Sequence, residues 1–264
     1  MYKVGDVIAD EYVVEKVFPN GGMGLVYRVR RSGWDMDLAL KQPRKELFQD
    51  AKQRESFVKE CETWMDLGVH PNVVSCYYVR IVDSVPSVFM EYADGGSLLD
   101  WIRSGRLYDG GADAALERIM DIAIQSARGL FHAHRKCFVH QDVKPANVLM
   151  SGGGIAKVSD FGLSKAKSAL PKSAVESDGR RMVVSSGGWT PAYGSPEQAS
   201  GSPLTRRTDL WSWAAMVLEM IHGSVFWKFG PFASRELQKL EYWQVYLPCV
   251  RPSRKLIAIL LELL

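Results

Sequence analysis

Four polar residues that lie close together in the sequence have side chains suited to phosphate chemistry: Asp142, Lys144, Asn147 and Asp160. Carboxylate and amide oxygens are ligands that Mg²⁺ accepts, usually together with substrate phosphates. A carboxylate that binds no metal can take a proton from a hydroxyl group, and a lysine beside it can offset charge that develops on a phosphoryl group. The set could therefore hold Mg²⁺ near a phosphate and accept a proton there.

Apolar residues on both sides of this set predict the elements that hold it in place. Residues 148–150 and 155–158 have the pattern of short buried strands. Pro145 lacks an N–H donor and resists both a helix and a central strand, so the residues around it should form a loop. Asp142 or Asn147 alone would be explained equally well by turn chemistry. The four residues at this spacing instead favour a catalytic loop.

The segment from residue 139 to 149, V-H-Q-D-V-K-P-A-N-V-L, is followed closely by D-F-G. Together they resemble the catalytic and metal-binding loops of the eukaryotic-like, bacterial-type serine/threonine protein kinase family. A lysine two residues after the first aspartate, and then a proline, is similar to the serine/threonine branch rather than the tyrosine branch. The catalytic residues that the resemblance implies are Asp142, Lys144 and Asn147. The ligands that it implies for Mg²⁺ or Mn²⁺ are Asn147 and Asp160.

One residue of this loop departs from the family's pattern. Many relatives have an arginine directly before the catalytic aspartate, where it receives a phosphate from the activation segment, but this chain has Gln141. A neutral glutamine cannot make a charged, bidentate contact with a phosphate. We therefore expect an activity that does not require phosphorylation of the activation segment, residues 160–197.

The composition fits one large domain or two lobes. The chain has 264 residues, of which 47% are hydrophobic and 24% charged, so it can bury a sizeable core. The net charge of +3 is too small to argue for nucleic acid or a membrane surface. The four cysteines form no C-x-x-C pair, which favours a reducing, cytoplasmic compartment over disulfides or zinc. The sequence also predicts no signal peptide and no membrane-spanning segment.

A glycine-rich turn separates two predicted strands near the N-terminus. Residues 12–17 and 25–30 flank the sequence P-N-G-G-M-G. Such a turn can present backbone N–H groups to a phosphate, or it can be a plain hairpin loop. The stretch G-G-M-G-x-V-Y resembles the phosphate-covering loop of bacterial-type kinases, although Pro19 replaces the family's first loop glycine. The nucleotide-binding residues that the resemblance implies here are Asn20, Gly21, Gly22, Met23, Gly24 and Val26.

A lysine ends the next predicted strand, L-A-L-K. A lysine within a buried strand is costly unless it is paired. The stretch resembles the family's V-A-I-K, which implies that Ala39 lines the nucleotide site and that Lys41 bridges the phosphates and a helix glutamate. The helix predicted at residues 55–67 offers Glu60 as that glutamate, with Glu62 as the alternative.

Residues 89–96, F-M-E-Y-A-D-G-G, resemble the hinge between the two lobes of a kinase. The resemblance implies that Glu91 and Ala93 offer backbone groups to adenine and that Met90 guards the back of the pocket. It also implies that Leu149, just after the catalytic loop, lines the nucleotide site.

The second part of the chain is predicted to be mostly helical. Apolar residues repeat with helical spacing over residues 114–135, and Ile124 and Phe131 belong to that pattern. A nearly all-apolar stretch that begins at Asp209 predicts a central, buried helix, and the resemblance implies that Asp209 holds the backbone of the catalytic loop. A final helix is predicted at residues 255–264.

The stretch T-P-A-Y-G-S-P-E at residues 190–197 resembles the end of a kinase activation segment. The resemblance implies that Thr190 meets Asp142 beside the substrate hydroxyl. It also implies that Arg251, in R-P-S, pairs with Glu197 and so fastens the large lobe.

The fold that the resemblance implies is α+β: a bilobal protein-kinase-like fold. The expected small lobe, residues 1–93, has an antiparallel sheet and one main helix, and the expected large lobe, residues 94–264, is mostly helical. The implied function is ATP-dependent phosphorylation of serine and threonine hydroxyls on protein substrates, including autophosphorylation, in signalling. No nucleic-acid partner is expected. Further domains or a dimer partner are expected outside this chain.

Two other functions remain open on the sequence. A nucleotide-binding pseudokinase that acts as a scaffold is supported by Pro19 and Gln141, but the lysine, aspartates and asparagine of the active pattern are all present. A small-molecule phosphotransferase of the same fold is the third reading. The T-P-A-Y and S-P-E elements instead favour a platform for a protein substrate.

Overall fold

The computed structural model describes residues 1–21, 24–34, 36–48, 50–161, 189–240, 250 and 252–264, and describes residues 20, 21, 47, 236, 239 and 240 by their backbone alone. The strands are β1 (Val7–Ile8), β2 (Tyr12–Gly21), β3 (Gly24–Arg31), β4 (Asp37–Pro43), β5 (Cys76–Val82), β6 (Val85–Glu91), β7 (Val148–Met150) and β8 (Ala156–Val158). The α-helices are α1 (Ala51–Met65), α2 (Leu98–Ser104), α3 (Ala112–Arg135), α4 (Pro196–Ser200), α5 (Arg206–His222), α6 (Ala233–Leu240) and α7 (Arg254–Leu263). Strands with one helix come first and helices dominate afterwards, which is the α+β order that the sequence predicted.

The N-terminal part forms an antiparallel sheet of six strands in the order β1-β2-β3-β4-β6-β5. Successive side chains of a strand point to opposite faces. In β4, Leu38 and Leu40 belong to one apolar cluster, whereas Ala39 belongs to the other, which also contains residues of α1. Lys41 lies two residues after Ala39, so the alternation places the lysine side chain on the face that is covered by α1.

Helix α1 begins at residue 51, whereas the sequence pattern predicted residue 55, and it ends at 65 rather than 67. The earlier start has a physical cause, because the Asp50 side chain accepts a hydrogen bond from the backbone N–H of Gln53 at 2.8 Å and caps the helix. The residues that α1 buries are Phe57, Cys61 and Trp64. Their spacing is that of a single helix stripe, which packs on the sheet.

Strand bounds also differ from the predicted ones. Strand β2 continues through Gly21 instead of ending at residue 17, and β5 begins at Cys76. Val74 does not join β5 because its backbone N–H donates to the carbonyl of Val158 in β8 at 2.9 Å. This bond connects the sheet to the part of the chain that carries the catalytic loop.

Helix α5 is the buried central helix that the sequence predicted. Its residues from Ala214 to Ile221 are all buried. Helix α3 packs beside it, and the indole N–H of Trp213 in α5 donates to the carbonyl of Ala123 in α3 at 3.1 Å. A helix that is apolar on every side is stable only when other elements surround it, so α5 is the axis on which the C-terminal part is built.

The predicted buried face of α3 was partly wrong. Ile124 and Phe131 are 45% and 64% exposed, whereas Ala123 and Leu130, one position earlier, are buried. Small residues favour burial of the face that contains Ala123, because they allow the backbone of neighbouring elements to approach α3 closely. A Cβ added at Gly129 would lie 2.3 Å from a carbonyl oxygen of the loop before β5.

Helices α3 and α7 occupy residues 112–135 and 254–263, against predicted bounds of 114–135 and 255–264. Differences of one or two residues are ordinary at helix ends. The start of α7 is set by Ser253, whose side chain accepts a hydrogen bond from the N–H of Leu256 at 3.2 Å. Within the described ranges, no helix combines the length and the apolar character needed to cross a bilayer.

Candidate active site

Asp142 lies at the centre of a cluster of hydrogen-bond donors. Its Oδ2 accepts from Lys144 Nζ at 2.8 Å and from Asn147 Nδ2 at 3.2 Å. Its Oδ1 accepts from the hydroxyl and the backbone N–H of Thr190 at 2.9 and 3.0 Å. Asp142 is only 5% exposed, so these donors rather than bulk water surround its charge. The structure brings together the three residues predicted to be catalytic, and it confirms the predicted contact of Thr190 with Asp142.

The loop that carries Asp142 is held by Asp209, in the first turn of α5. Oδ2 of Asp209 accepts from the backbone N–H of His140 at 2.8 Å, and Oδ1 accepts from that of Gln141 at 2.8 Å. Gln141 has a φ of +70°, which is uncommon for a residue with a side chain. The buried carboxylate stabilises this conformation because its two oxygens meet two successive N–H groups. The role predicted for Asp209 is confirmed.

His140 anchors the same loop from inside the protein. Its Nδ1 accepts from the backbone N–H of Asp142 at 3.2 Å, which leaves the proton on Nε2, and Nε2 donates to the carbonyl of Ser159 at 2.7 Å. The imidazole centroid also lies 4.7 Å from that of Phe161. The buried histidine therefore connects the catalytic loop to the strand end that carries Asp160.

A contact that sequence reasoning missed involves the end of α3. Nε2 of His134 lies 2.7 Å from Oδ2 of Asp209, although the two residues are 75 positions apart in the chain. The one signal available in the sequence is electrostatic. A helix favours a basic residue in its last turn and an acidic residue in its first turn, and His134 and Asp209 have those positions.

Lys41 and Asp160 meet between the sheet and the C-terminal part of the chain. Nζ of Lys41 lies 2.6 Å from Oδ2 of Asp160. The lysine is 5% exposed, and the ion pair provides the partner that a buried ammonium group requires. Asp160 has a φ of +63°, so an unusual backbone conformation places its carboxylate there. The sequence assigned a phosphate to Lys41 and a metal to Asp160, and it did not foresee this direct pair.

Of the two glutamates considered as a partner for Lys41, Glu60 is better placed. Both carboxylate oxygens of Glu60 are buried, whereas Glu62 is exposed. Burial raises the pKa of the neighbouring Cys61 thiol, and the charges of Glu60, Lys41 and Asp160 contribute smaller changes. The pairing of Glu60 with Lys41 stays a prediction.

Apolar residues predicted to line the nucleotide site lie on adjacent strands. Ala39 is paired with Met90 across β4 and β6, and Val26 of β3 is paired with Lys41. Ala39 and Met90 are buried, whereas Val26 and Leu149 are half-buried and pack against the same apolar cluster. Half-buried apolar side chains on two sides of a cleft can cover the faces of a planar base.

Glu91, which the sequence predicts to lie in the hinge, has its side chain and its N–H engaged in other contacts. The backbone N–H donates to the carbonyl of Ser75 at 2.9 Å. One carboxylate oxygen accepts from the N–H of Ser75 at 3.2 Å, and the other lies 2.8 Å from Nζ of Lys157. The Glu91 carbonyl is therefore the group that it can offer to adenine, with the half-buried Ala93 two residues later.

The glycine-rich turn is described only in part. Gly22 and Met23 lie outside the described residues, and the backbone of Asn20 and Gly21 ends β2. A Cβ at Gly24 would lie 2.1 Å from the carbonyl oxygen of a residue in β4. Packing of β3 against β4 therefore requires glycine at this position, a reason that the sequence did not suggest. The phosphate contacts of the turn stay a prediction.

Residues 189–195, here called the substrate platform, are fixed beside Asp142 by contacts to α5. The Tyr193 hydroxyl donates to Glu219 at 2.5 Å, and the Ser212 hydroxyl donates to the Tyr193 carbonyl at 2.8 Å. Burial, and then the charge of Glu219, raise the pKa of Tyr193, so the phenol remains the donor. Burial also raises the pKa of Glu219, and the hydrogen bond from Tyr193 opposes that change.

The predicted pair of Arg251 and Glu197 falls partly outside the described residues. Arg251 is not described, nor are residues 162–188 of the activation segment. Oε1 of Glu197 accepts a hydrogen bond from the hydroxyl of Thr208 at 2.8 Å. This contact joins the short helix α4 to the start of α5.

The side-chain oxygens of Asn147 and Asp160 are suitable ligands for a magnesium ion. Nδ2 of Asn147 donates to the carbonyl of Asp142 at 2.8 Å, so the amide oxygen is the atom that Asn147 can offer to a cation. Asp160 also offers a carboxylate, and the backbone N–H of the residue before it, Ser159, donates to the carbonyl of Asn147 at 2.8 Å. One or two protein oxygens together with substrate phosphates are the ligand set that Mg²⁺ commonly takes.

A family model described as "Protein kinase domain" matches residues 12–247. This chain belongs to the protein kinase family. The domain is similar to serine/threonine-protein kinase PknA of Corynebacterium glutamicum, with 31% identity over 226 residues and 84% of this chain covered. It is also similar to serine/threonine-protein kinase PrkC of Bacillus subtilis, with 30% identity over 223 residues and 84% covered.

The kinase domain also has the fold of a solved bacterial kinase domain. The PknI kinase domain of Mycobacterium tuberculosis matches it with a TM-score of 0.64 and 20% identity, and the match covers 100% of both chains. The predicted α+β, protein-kinase-like fold is confirmed. The domain spans less than half of the relatives PknA and PrkC, 45% and 32% of their lengths.

Proposed function

We propose that this chain transfers the γ-phosphoryl group of ATP to serine and threonine hydroxyls of protein substrates. The observation that carries the proposal is a contact between an alcohol and the Asp142 carboxylate. The Thr190 hydroxyl donates to Asp142 at 2.9 Å and accepts from Lys144 Nζ at 2.6 Å. A substrate hydroxyl beside it would meet the same acceptor and the same positive charge. The similarity to bacterial serine/threonine kinases supports the same reaction.

The reaction moves one proton and one phosphoryl group. The substrate hydroxyl gives its proton to Asp142 while its oxygen forms a bond to the γ-phosphorus, and the bond between that phosphorus and the bridging oxygen of ADP breaks. Lys144 offsets the negative charge of the transferred group, and Asn147 holds the Asp142 carboxylate through Nδ2. Such catalysis depends mainly on positioning and electrostatics.

Binding of the triphosphate is proposed to use residues from both parts of the chain. Lys41, positioned by Glu60, would hold the α- and β-phosphates, while Asn147 and Asp160 would hold Mg²⁺ or Mn²⁺. The metal, when bound, neutralises charge on the β- and γ-phosphates. The Lys41–Asp160 pair supports this arrangement, because the two groups already adjoin at 2.6 Å. Adenine would lie between the sheet and Leu149.

We also propose the bounds of the two lobes and the cellular role of the chain. The small lobe would comprise residues 1–93 and the large lobe residues 94–264, in a cytoplasmic kinase that autophosphorylates and acts in signalling. Domains or a dimer partner outside this chain would supply the input. Since Gln141 is neutral, transfer should persist after phosphatase treatment; activity that is lost on treatment and regained on rephosphorylation would contradict this point.

The proposed reaction is tested with three peptides that differ only in the acceptor, which is serine, threonine or tyrosine. The wild-type chain, with ATP and Mg²⁺, should phosphorylate the serine and threonine peptides and not the tyrosine peptide. Exposed Glu62→Gln serves as a control variant that should behave like the wild type. ATP binding without transfer to any peptide or to a generic basic protein would instead support the scaffold alternative.

A further inference from the structure

Gln198 in α4 contacts the substrate platform and the catalytic loop at the same time. It is 3% exposed. Its Nε2 donates to the carbonyl of Gln141 at 2.8 Å, across 57 positions of the chain, and its Oε1 accepts from the backbone N–H of Ser195 at 3.0 Å. The two ends of one side-chain amide thus serve two different elements.

The oxygen end of this amide belongs to a capping box. The backbone N–H of Gln198 donates to the Ser195 hydroxyl at 3.3 Å, while the Gln198 side chain accepts from the N–H of Ser195. Glutamate and glutamine serve equally in such a box, because only an acceptor is needed. Capping of α4 therefore does not explain why the residue should be a glutamine.

Nε2 of Gln198 forms a hydrogen bond with the peptide group that joins Gln141 to Asp142. Gln198 binds the oxygen of this group, and His140 Nδ1 accepts from its N–H at 3.2 Å. The plane of the peptide is therefore fixed on both edges. Gln141 has a φ of +70°, so the chain adopts an uncommon conformation directly before Asp142 and needs such contacts to keep it.

We propose that Gln198 is a positioning residue for the Asp142 carboxylate. Its N–H donor orients the Gln141–Asp142 peptide, and this peptide sets the direction of the carboxylate toward the substrate hydroxyl. Gln141 has no charge with which to bind a phosphate, so the amide bridge couples the substrate platform to the catalytic loop without a modification. The proposal rests on the phosphotransfer function proposed above.

Two substitutions separate the donor from the cap. Gln198→Glu keeps the acceptor of the capping box and places a carboxylate oxygen against the Gln141 carbonyl, so kcat should fall about tenfold to a hundredfold, because small misplacements have effects of that order. The KM for ATP should not change, since Lys41 and Asp160 are untouched. Ser195→Ala removes the hydroxyl acceptor of the cap and leaves the bridge, so it should lower the thermal unfolding midpoint and reduce kcat less than Gln198→Glu does.

The pH dependence of kcat distinguishes the donor role of Gln198 from a purely structural role, which would not change it. The carboxyl group introduced by Gln198→Glu can donate a hydrogen bond to the Gln141 carbonyl once it is protonated, and its buried position favours protonation. The ratio of kcat for Gln198→Glu to wild-type kcat should therefore rise as the pH falls. A reduced ratio that stays constant over the accessible pH range would contradict the donor role.

A third variant covers the case in which Gln198→Glu does not fold. Gln198→Met has a similar volume and loses both the donor and the cap, so its kcat should lie well below that of Ser195→Ala; equal values would overturn the inference. Wild-type kcat in Gln198→Glu at the highest pH tested, where the introduced carboxylate is ionised and has no donor, would also overturn it and would leave the proposed function standing. Absence of transfer by the wild-type chain would overturn both.

Discussion

Single residues in this site are held largely through backbone groups rather than through charge alone. Asp209 accepts hydrogen bonds from the N–H groups of two successive residues, His140 and Gln141. A buried carboxylate without such donors would be strongly unfavourable. The direction of the Asp142 carboxylate therefore depends on residues that never contact the substrate, and the motif letters alone do not show this.

Buried Glu219 predicts a pH dependence of stability. Burial raises its pKa above the ordinary 4.5, with the Tyr193 hydrogen bond and the charge of Arg103 opposing the change. A raised folded-state pKa means that the contribution of Glu219 to stability is fully present below the unfolded-state pKa and is lost as the pH rises through the folded-state value. The free energy of unfolding of Glu219→Gln, relative to wild type, should therefore increase as the pH rises above about 4.5.

Urea unfolding at a series of pH values measures this difference. Glu62→Gln provides a matched control, because it makes the same substitution at an exposed position. A Glu219→Gln difference that is constant or falls with rising pH would show that Glu219 is not destabilised by its burial.

The sequence predicted individual residues well where a motif names them and poorly where distant partners meet. Asp142, Asn147 and Thr190 come together as expected. The Lys41–Asp160 pair joins residues 119 positions apart, and no local pattern indicates it. The bridge of Gln198 was missed for the same reason, because it is defined by tertiary packing.

Elements are placed by caps and by close backbone contacts as much as by apolar periodicity. The sequence pattern located α1, but it missed four residues at its start because the cap, Asp50, is polar and lies outside the apolar stripe. It also assigned Ile124 and Phe131 to the buried face of α3, whereas Ala123 and Leu130, one position earlier, are buried and the small Gly129 lies on that face. Small residues carry little hydrophobic signal, although they allow the closest packing.

The cap of α1 is tested by a pair of substitutions at one position. Asp50→Ala removes the acceptor for the Gln53 N–H and should lower the free energy of unfolding by about 1 kcal/mol. Asp50→Asn keeps an acceptor and should lie within a few tenths of a kcal/mol of wild type. Chemical denaturation compares the two variants, and equal losses would mean that the hydrogen bond does not define the helix start.

The substrate platform depends on a close backbone contact from the segment before α6. A Cβ at Gly230 would lie 2.0 Å from the carbonyl oxygen of Gly194. The backbone N–H of Gly230 donates to the carbonyl oxygen of Pro191 at 2.8 Å. Gly230→Ala must displace the platform, so the KM for a peptide substrate should rise several-fold while the affinity for ATP stays unchanged.

Gly153→Ala is the matched control for that substitution. A Cβ at Gly153 would lie 3.8 Å from the Ser151 hydroxyl oxygen, which is an ordinary van der Waals distance. Steady-state kinetics with varied peptide and varied ATP should therefore show wild-type constants for this variant. A Gly230→Ala variant with an unchanged KM for the peptide would exclude the platform role of this contact.

At the scale of the whole molecule, the sheet and the helical part are connected at the proposed nucleotide site. The Lys41–Asp160 ion pair and the hydrogen bond from Val74 to Val158 both join these parts. A ligand that binds only the folded state stabilises it, by about 2.7 kcal/mol when its concentration is 100 times Kd. ATP with Mg²⁺ should therefore stabilise both parts together.

This coupling is measured by thermal unfolding with and without ATP and Mg²⁺. The wild-type midpoint should rise by several degrees, and Lys41→Met should abolish the rise because the phosphates lose their cation. Exposed Lys59→Met on α1 is the control and should keep the rise. An undiminished rise in Lys41→Met would contradict the assignment of Lys41 to the nucleotide.

The central claim is that Asp142 accepts the proton of the substrate hydroxyl, and the most direct measurement is single-turnover transfer from γ-labelled ATP, with ATP binding measured on the same protein. Asp142→Asn should bind ATP with an affinity similar to that of the wild type and should transfer phosphate about 10² to 10⁴ times more slowly. Transfer by Asp142→Asn at the wild-type rate would contradict the account.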